Sequence, residues 1–168
     1  MMTKTEARAT LAQLHRAGFI GQSQRAAIQS GFESEEQEYF LGLVGDLATT
    51  IGTMPKTYEQ DGLGSDAMVH LHYFYRGMDW YITEKDMEPE QLQAFGLANL
   101  GYGGELGYIW IGEITASGAE LDLFWTPKKL SEIAGYDVSY VEDDGDTDEE
   151  KDHAYNSEDR LRWVESGY

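Results

Sequence analysis

The fold is decided by residues 68–125, which read MVHLHYFYRGMDWYITEKDMEPEQLQAFGLANLGYGGELGYIWIGEITASGAELDLFW. Most of the tyrosine, tryptophan and phenylalanine residues of the chain lie in or near this stretch. Apolar and polar residues alternate through much of it, and glycines interrupt the alternation every few residues. A period of two with regular breaks is typical of a small sheet that buries one face.

The alternation sorts the residues of the first predicted strand into two faces, because successive side chains of a strand point in opposite directions. One face would carry Val69, Leu71, Tyr73 and Tyr75, and the other His70, His72, Phe74 and Arg76. Residues 76–79 can turn the chain into a second strand over residues 80–84. This arrangement predicts a hairpin.

Further elements follow at short intervals along the chain. We predict strands over residues 94–100, 106–111 and 120–125, helical turns at 88–90 and 111–117, and a short helix over 127–133. Pro89 suits the first position of a helical turn. Short links between strands favour an antiparallel or mixed sheet over a doubly wound parallel one.

The N-terminal third has the spacing of helices. Apolar residues recur every three or four positions in residues 3–17, and a second short helix is predicted over 22–30. A third helix should begin after Ser34, an N-cap candidate, and stop before Pro55.

These patterns together predict a single α+β domain over residues 1–135. Its N-terminal helices, in residues 1–54, would pack on a small, mostly antiparallel sheet in residues 55–135. An acidic C-terminal extension would occupy residues 136–168.

The charge of the chain is extreme. The chain has 31 Asp and Glu residues against 12 Lys and Arg residues, which gives a net charge of −19. Residues 136–168 contribute twelve acids against three bases, a net charge of −9. Such a protein repels nucleic acid and anionic membranes and is attracted to basic surfaces. The charge can serve solubility alone, or it can let the protein compete for a surface that normally holds DNA or RNA.

Composition also indicates where the protein works. The N-terminal residues lack the apolar segment of a secretory signal, and no run approaches the roughly 20 apolar residues of a membrane helix. The chain has no cysteine, which removes disulfides, thiolate metal ligands and cysteine nucleophiles. We therefore expect a cytoplasmic protein that has no membrane partner.

Four segments between residues 54 and 130 resemble a known family. They read MPKTYEQDGLGSDAMVHLHYF (54–74), DWYITEKDM (79–87), AFGLANLGYGGELGYIWIGEI (94–114) and GAELDLFWTPKKL (118–130). The Trp-x-x-Thr-Glu, Ala-Phe-Gly-Leu and Gly-Glu-Leu-Gly-Tyr patterns in them are similar to those of domain of unknown function number 2958. The resemblance implies an accessory gene of a phage, plasmid or conjugative element, and it implies no catalytic residues. Mobile elements often carry acidic proteins that blunt host restriction or CRISPR systems, which is an association and not a mechanism.

Two histidines form a possible metal site. His70 and His72 are two residues apart on a predicted strand, so both should point to the same face. Such a pair can hold a metal ion when a carboxylate joins it, and Asp79, Glu84 and Asp86 are the nearest candidates in sequence. An ordinary polar strand surface has the same pattern, so the metal site remains one alternative.

Other apparent motifs have simpler explanations. Glu84, Asp86, Glu105 and Glu113 could form a carboxylate cluster for acid–base chemistry, but strand ends also collect charges where they meet water. The glycines of residues 101–104 lack the Lys-Ser/Thr of a phosphate-binding loop and are better suited to a tight turn or bulge. No Ser-His-Asp arrangement is legible. We therefore predict no cofactor and no catalytic residues.

Nine aromatic residues of the sheet region could stack on nucleic-acid bases, but too few basic residues accompany them. They are Tyr73, Tyr75, Trp80, Tyr81, Tyr102, Tyr108, Trp110, Phe124 and Trp125. Most should pack in the core, and any that stay exposed would form a protein-binding patch.

The leading functional expectation is a non-enzymatic protein that imitates a phosphate backbone and occupies a basic groove on a host nucleic-acid-binding protein. Its partner-binding residues would be Glu142, Asp143, Asp144, Asp146, Asp148, Glu149 and Glu150, with Trp163 as an apolar anchor. The alternatives are a metal-binding module or hydrolase centred on His70 and His72, and a structural adaptor in replication or conjugation that acts through the aromatic sheet.

Overall fold

The computed structural model describes residues 1–101, 103–133 and 136. Within them, three long helices precede an antiparallel sheet of five strands, so the predicted α+β class is confirmed. Of the acidic extension, Tyr136 alone lies within the described residues.

The three helices are α1 (Lys4–Arg16), α2 (Gln22–Ser30) and α3 (Gln37–Thr53). Thr3 and Glu6 close a capping box at the start of α1, because each side chain accepts the backbone N–H of the other residue. The prediction that Ser34 caps α3 is wrong, since Glu36 holds that position. The Ser34 hydroxyl instead accepts the Glu36 N–H at 3.1 Å and shapes the turn before the helix.

The strands are β1 (Met68–Val69), β2 (Leu71–Tyr75), β3 (Met78–Glu84), β4 (Ala94–Asn99), β5 (Gly104–Ile109), β6 (Glu120–Leu121) and β7 (Lys128–Lys129). Five of them form one sheet in the order β5-β4-β3-β2-β6, in which every neighbouring pair is antiparallel. β1 and β7 form a separate antiparallel pair. Helix α4 (Ile111–Ala116) follows β5, as predicted.

The predicted hairpin joins β2 to β3. Arg76 and Gly77 form its two-residue turn with φ angles of 48° and 79°. Two successive residues with positive φ are the signature of a type I′ turn, which matches the twist of the flanking strands. β3 begins at Met78, two residues earlier than predicted.

Two predicted elements near the sheet are wrong, and a third is a single turn. The strand expected over residues 120–125 ends at Leu121, because the Asp122 carboxylate accepts the Phe124 N–H at 3.0 Å and bends the chain. The helix expected over 127–133 is the short strand β7 followed by a single 3₁₀ turn at Leu130–Glu132. At 88–90, where a helical turn is predicted, a single hydrogen-bonded turn forms in which the Gln91 N–H donates to the Glu88 carbonyl at 3.4 Å. The Asp86 carboxylate accepts the N–H groups of Glu88 and Gln93 and closes the surrounding loop.

The main core lies between the helices and the face of the sheet that we call the inner face. Leu71, Tyr73, Trp80 and Ile82 are buried there with apolar residues of the helices. The Tyr73 hydroxyl donates to the Phe19 carbonyl at 2.7 Å, and burial raises the pKa of Tyr73. Tyr73 therefore ties the middle of the sheet to the loop after α1.

A second, smaller core covers part of the opposite face, which we call the outer face. Leu97 of β4 packs there with Leu130 and Ile133, and Tyr81, Leu106, Trp125 and Tyr136 pack around them. The segment after β6 thus folds back over the sheet. Its last described residue, Tyr136, leads directly into the acidic residues of the chain.

The loop before the sheet is fixed by one buried amide. Gln60 donates from Nε2 to the carbonyls of Met68 and Thr83 at 2.9 and 2.7 Å, and its Oε1 accepts the Met68 N–H at 2.8 Å. These hydrogen bonds join the loop, β1 and β3. They also provide partners for backbone groups that the pairing of the short strand β1 does not satisfy. The residues immediately before the sheet are therefore part of the same folded unit.

We predict opposite effects for two glycine-to-alanine substitutions. A Cβ on Gly96 would lie 2.0 Å from the Tyr81 carbonyl oxygen, whereas a Cβ on Gly42 of α3 meets nothing within 4 Å. Gly96→Ala should lower the free energy of unfolding by about 3 kcal/mol, because β3 cannot move away without breaking its pairing. Gly42→Ala should raise it by about 1 kcal/mol through helix propensity. Urea denaturation measures both, and equal effects would contradict the close approach of β3 and β4.

Candidate binding site on the outer face

His72 is the centre of a polar cluster on the outer face, beside the second core, whose peripheral residues Tyr81 and Trp125 contact its ring. Its Nε2 lies 2.7 Å from Oδ1 of Asp79, and its Nδ1 lies 3.0 Å from Oδ2 of Asp122. β2 supplies the histidine, the neighbouring strand β3 supplies Asp79, and Asp122 follows the edge strand β6. The cluster therefore ties together three adjacent strands. We call these three residues the His72 cluster.

The hydrogen bonds of the His72 cluster engage both nitrogens of the ring, one with each carboxylate. With both nitrogens engaged, His72 has no free nitrogen for a metal ion or a reacting proton.

Aromatic rings enclose the imidazole. The Tyr81 ring stacks on it with a centroid distance of 4.7 Å and an interplanar angle of 10°, and the Trp125 ring lies 5.0 Å away. Burial, and to a smaller extent the Asp79 carboxylate, raise the pKa of Tyr81. Trp125 is itself held by a hydrogen bond from Nε1 to the Val69 carbonyl at 3.0 Å. The side chain of His72 is consequently only 13% exposed.

Asp122 links the His72 cluster to an exposed turn. Its N–H donates to the His72 carbonyl at 2.8 Å, and its carboxylate binds both the His72 ring and the Phe124 N–H. The turn that results directs the Phe124 side chain outward, where it is 83% exposed. Phe124 is thus an exposed aromatic residue of the kind expected for a protein-binding patch, whereas Tyr73, Trp80 and Tyr108 are buried.

A groove of about 210 Å³ lies between α3 and the segment that contains this turn. Its lining residues from the two sides are Leu43, Asp46, Leu47 and Thr50 of α3, His70 and Leu71, and Leu121, Asp122, Leu123, Phe124 and Trp125. We call it the α3 groove. Seven of its lining residues are apolar, but polar groups, with Asp46, Thr50, His70 and Asp122 among their sources, make up the larger part of its accessible surface.

His70 and His72 belong to different surroundings. His72 lies in the carboxylate cluster, whereas His70 lines the α3 groove. Among the residues that the structure describes, no group of three or more His, Cys, Asp or Glu side chains is arranged to hold a metal ion. The metal role of His70 and His72 stays a prediction.

The other candidate carboxylates have separate roles. Asp79 is the one metal-site candidate that contacts His72. Glu84 and Asp86 are buried and accept hydrogen bonds from the backbone N–H groups of Gln60 and of residues 88 and 93. Glu105 is exposed on the edge strand β5.

The predicted partner-binding residues of the tail lie outside the described residues. They are Glu142, Asp143, Asp144, Asp146, Asp148, Glu149, Glu150 and Trp163.

Sequence reasoning missed the roles of Asp46 and Asp122. In the sequence, Asp46 is simply one of several polar residues on an amphipathic helix, so nothing distinguishes it. Asp122 lies two residues before Phe124, which is the spacing of an Asx turn, but this spacing is common.

No protein-family model matches the chain, and comparisons with curated proteins and with solved structures found no match. The similarity to domain of unknown function number 2958 stays a prediction. None of the helices in the described ranges combines the length and the apolarity that a membrane crossing requires.

We predict energetic coupling between His72 and Asp122. In a double-mutant cycle, the His72→Ala, Asp122→Ala double variant should lose about 1 kcal/mol less free energy of unfolding than the sum of the losses in the two single variants. The reason is that each single substitution already removes the shared charge-assisted hydrogen bond. The control cycle pairs His72→Ala with Glu35→Ala, an exposed acid before α3, and should be additive. Additivity in both cycles would mean that the contact stabilises nothing.

The environment of His70 predicts a pH effect on stability. Burial lowers the pKa of His70 from its ordinary value of 6.5. Between the lowered pKa and 6.5 the unfolded chain binds more protons than the folded one, so this residue costs stability as the pH falls through that range.

The measurement compares the wild type with His70→Gln by urea denaturation at about pH 7.5 and about pH 5.5. Relief of repulsion among the many carboxylates affects both proteins equally, so the difference isolates His70. The variant should lose less, or gain more, stability on acidification than the wild type. An identical response in the two proteins would contradict the buried position of the ring.

Proposed function

We propose that this protein is a non-enzymatic acidic binding protein that occupies the basic, nucleic-acid-binding surface of a host protein. In this proposal it is encoded by a mobile element, acts in the cytoplasm of the bacterial host, and inhibits a component of a defence system such as restriction or CRISPR. The mobile-element context rests on the resemblance described above, and the mode of binding rests on charge.

The observation that carries the proposal is the distribution of carboxylates. Residues 1–135 contain nineteen acids against nine bases, a net charge of −10, so the excess is not confined to the tail. Only Glu84 and Asp86 of these nineteen acids are buried. A surface of this kind attracts a basic partner over a distance comparable with the Debye length, about 8 Å at physiological salt.

Contacts within the domain engage several of the basic residues. Lys4 and Arg8 both pair with Glu33, and Lys129 lies 3.3 Å from Asp66. The Lys85 ammonium donates to the last carbonyls of α3, including that of Gly52 at 3.3 Å. Each ion pair also neutralises a carboxylate, so these contacts leave the net charge of −10 unchanged, and the remaining carboxylates still outnumber the remaining cations.

The His72 cluster supports a binding role over a catalytic one. Both nitrogens of His72 bind carboxylates, and the ring is stacked on Tyr81. A general base needs a nitrogen within reach of a substrate proton. His72 instead positions the turn that exposes Phe124, as a structural residue of an interaction surface would.

The proposal predicts capture of nucleic-acid-binding proteins from a bacterial lysate in a salt-dependent and nucleic-acid-dependent manner. The full chain serves as bait, and the bound proteins are identified by mass spectrometry. Added duplex DNA or RNA should displace them, because bait and nucleic acid would share one surface. Raising the salt concentration should weaken binding steeply, since the contacts are largely ionic.

Two matched variants locate the binding charges. The first replaces with amides the seven tail carboxylates of Glu142, Asp143, Asp144, Asp146, Asp148, Glu149 and Glu150. The control replaces with amides the seven exposed carboxylates of Glu35, Glu36, Glu38, Glu59, Glu88, Glu90 and Glu105. Both remove the same charge, but the tail variant should lose roughly tenfold or more in affinity and the control much less.

Three outcomes would count against the proposal. Capture that resists both salt and nucleic acid, with equal binding by the tail variant, would instead support an adaptor that acts through exposed aromatic residues. Equal losses in the two variants would mean that the tail has no special part. Capture of no nucleic-acid-binding protein would remove the proposed partner class.

A further inference from the structure

We infer that the α3 groove binds an arginine side chain of a basic protein partner. This inference rests on the proposed function, because it names the contact through which the folded domain would recognise that partner. The groove is the place in the described structure where an unengaged carboxylate, an exposed aromatic ring and apolar walls come together.

The walls of the α3 groove suit the aliphatic part of a long side chain. Leu43 and Leu47, one turn apart on α3, form one wall, and Leu123 contributes to the other. All three leucines are half-buried. The volume of about 210 Å³ is larger than a single water site, and the exposed residue Phe124 is part of its lining.

The polar groups of the α3 groove are available for a ligand. The side chains of Asp46 and Thr50 and the ring of His70 take part in no hydrogen bond or ion pair within the described part of the chain. Asp46 is exposed, and no lysine or arginine of the described residues forms an ion pair with it. Asp122 is different, because its carboxylate already binds the His72 ring and the Phe124 N–H.

Arginine fits these groups better than other side chains. A guanidinium is planar, can donate two hydrogen bonds to one carboxylate, and stacks on an aromatic face. Asp46 supplies the carboxylate, Phe124 supplies the aromatic ring, and the leucines accommodate the methylene stem. The charge of the whole chain, −19, adds a long-range attraction for such a residue.

The His72 cluster gives the groove its shape. The Asp122 carboxylate is hydrogen-bonded to the His72 ring and to the Phe124 N–H, and these bonds fix the turn that contains Phe124. The backbone that carries Phe124 is therefore in place before a ligand binds, which reduces the entropic cost of binding.

The test uses the full chain and a capped peptide, acetyl-Gly-Ser-Arg-Ser-Gly-amide, as the probe. Amide chemical shifts are followed by NMR during titration, and the reference peptide carries citrulline, a neutral isostere, in place of arginine. Shifts should concentrate on residues 43–50 and 121–125, and the arginine peptide should bind at least roughly fivefold more tightly than the citrulline peptide.

Two substitutions and one control test the contact directly. Asp46→Asn and Phe124→Ala should each weaken binding of the arginine peptide roughly threefold or more, since each removes one of the recognising groups. Both side chains are exposed, so neither change should disturb the fold, and unchanged thermal unfolding checks this. Glu35→Gln removes the same charge as Asp46→Asn outside the groove and should leave binding unchanged.

The possible results separate this inference from the proposed function. Equal binding of the arginine and citrulline peptides, shifts spread over the whole acidic surface, or an effect of Glu35→Gln as large as that of Asp46→Asn would overturn the groove assignment. If Asp46→Asn and Phe124→Ala capture host proteins as well as the wild type while the tail variant does not, the proposed function holds and the groove has no part in it. If the peptide binds in the groove but no nucleic-acid-binding protein is captured, the proposed function fails and the arginine site stands.

Discussion

The structure depends on one constraint, which is that its central strands are buried on both faces. All but the last residue of β4 are buried, and β3 is buried over most of its second half. The helices cover the inner face, but Leu97 and Tyr81 point to the other side and need a second cover. The segment around Leu130 and Ile133 supplies it. Burial of this apolar surface, at about 25 cal/mol per Å², is what holds the last described part of the chain against the sheet.

Polar contacts decide where this second cover lies. The Trp125 indole donates to the Val69 carbonyl, the Leu130 N–H donates to the Ala67 carbonyl, and β7 pairs with β1. The apolar contacts alone would tolerate some sliding, since hydrophobic attraction has no direction. The bond between Asp122 and His72 fixes the start of the segment in the same way. The α3 groove therefore exists because the cover is fixed at one end by hydrogen bonds and at the other by a small core.

The sequence predicted the parts of the fold that local patterns control. The α+β class, the hairpin at Arg76 and Gly77, and the burial of Val69, Leu71 and Tyr73 follow from periodicity and turn chemistry. The errors over residues 120–133 have a different origin, because those residues are bent by an Asx turn and then fold onto a distant face of the sheet. The candidate site was missed for the same reason. Asp46 and Phe124 are separated by more than seventy residues, and no local pattern relates a helix surface to a turn after a strand.

Charge and groove can serve different steps of one recognition event. A charge of −19 acts over a long range and speeds association with any basic surface. It distinguishes poorly between such surfaces, because the long-range attraction depends little on the exact positions of the charged groups. A groove that demands a planar cation beside an aromatic ring acts only at contact, where orientation matters. Since steering changes mainly the association rate and a buried contact changes mainly the dissociation rate, the two features would be separable in kinetics. An acidic protein that uses both can approach many basic proteins quickly and remain bound to the few that place an arginine in the groove.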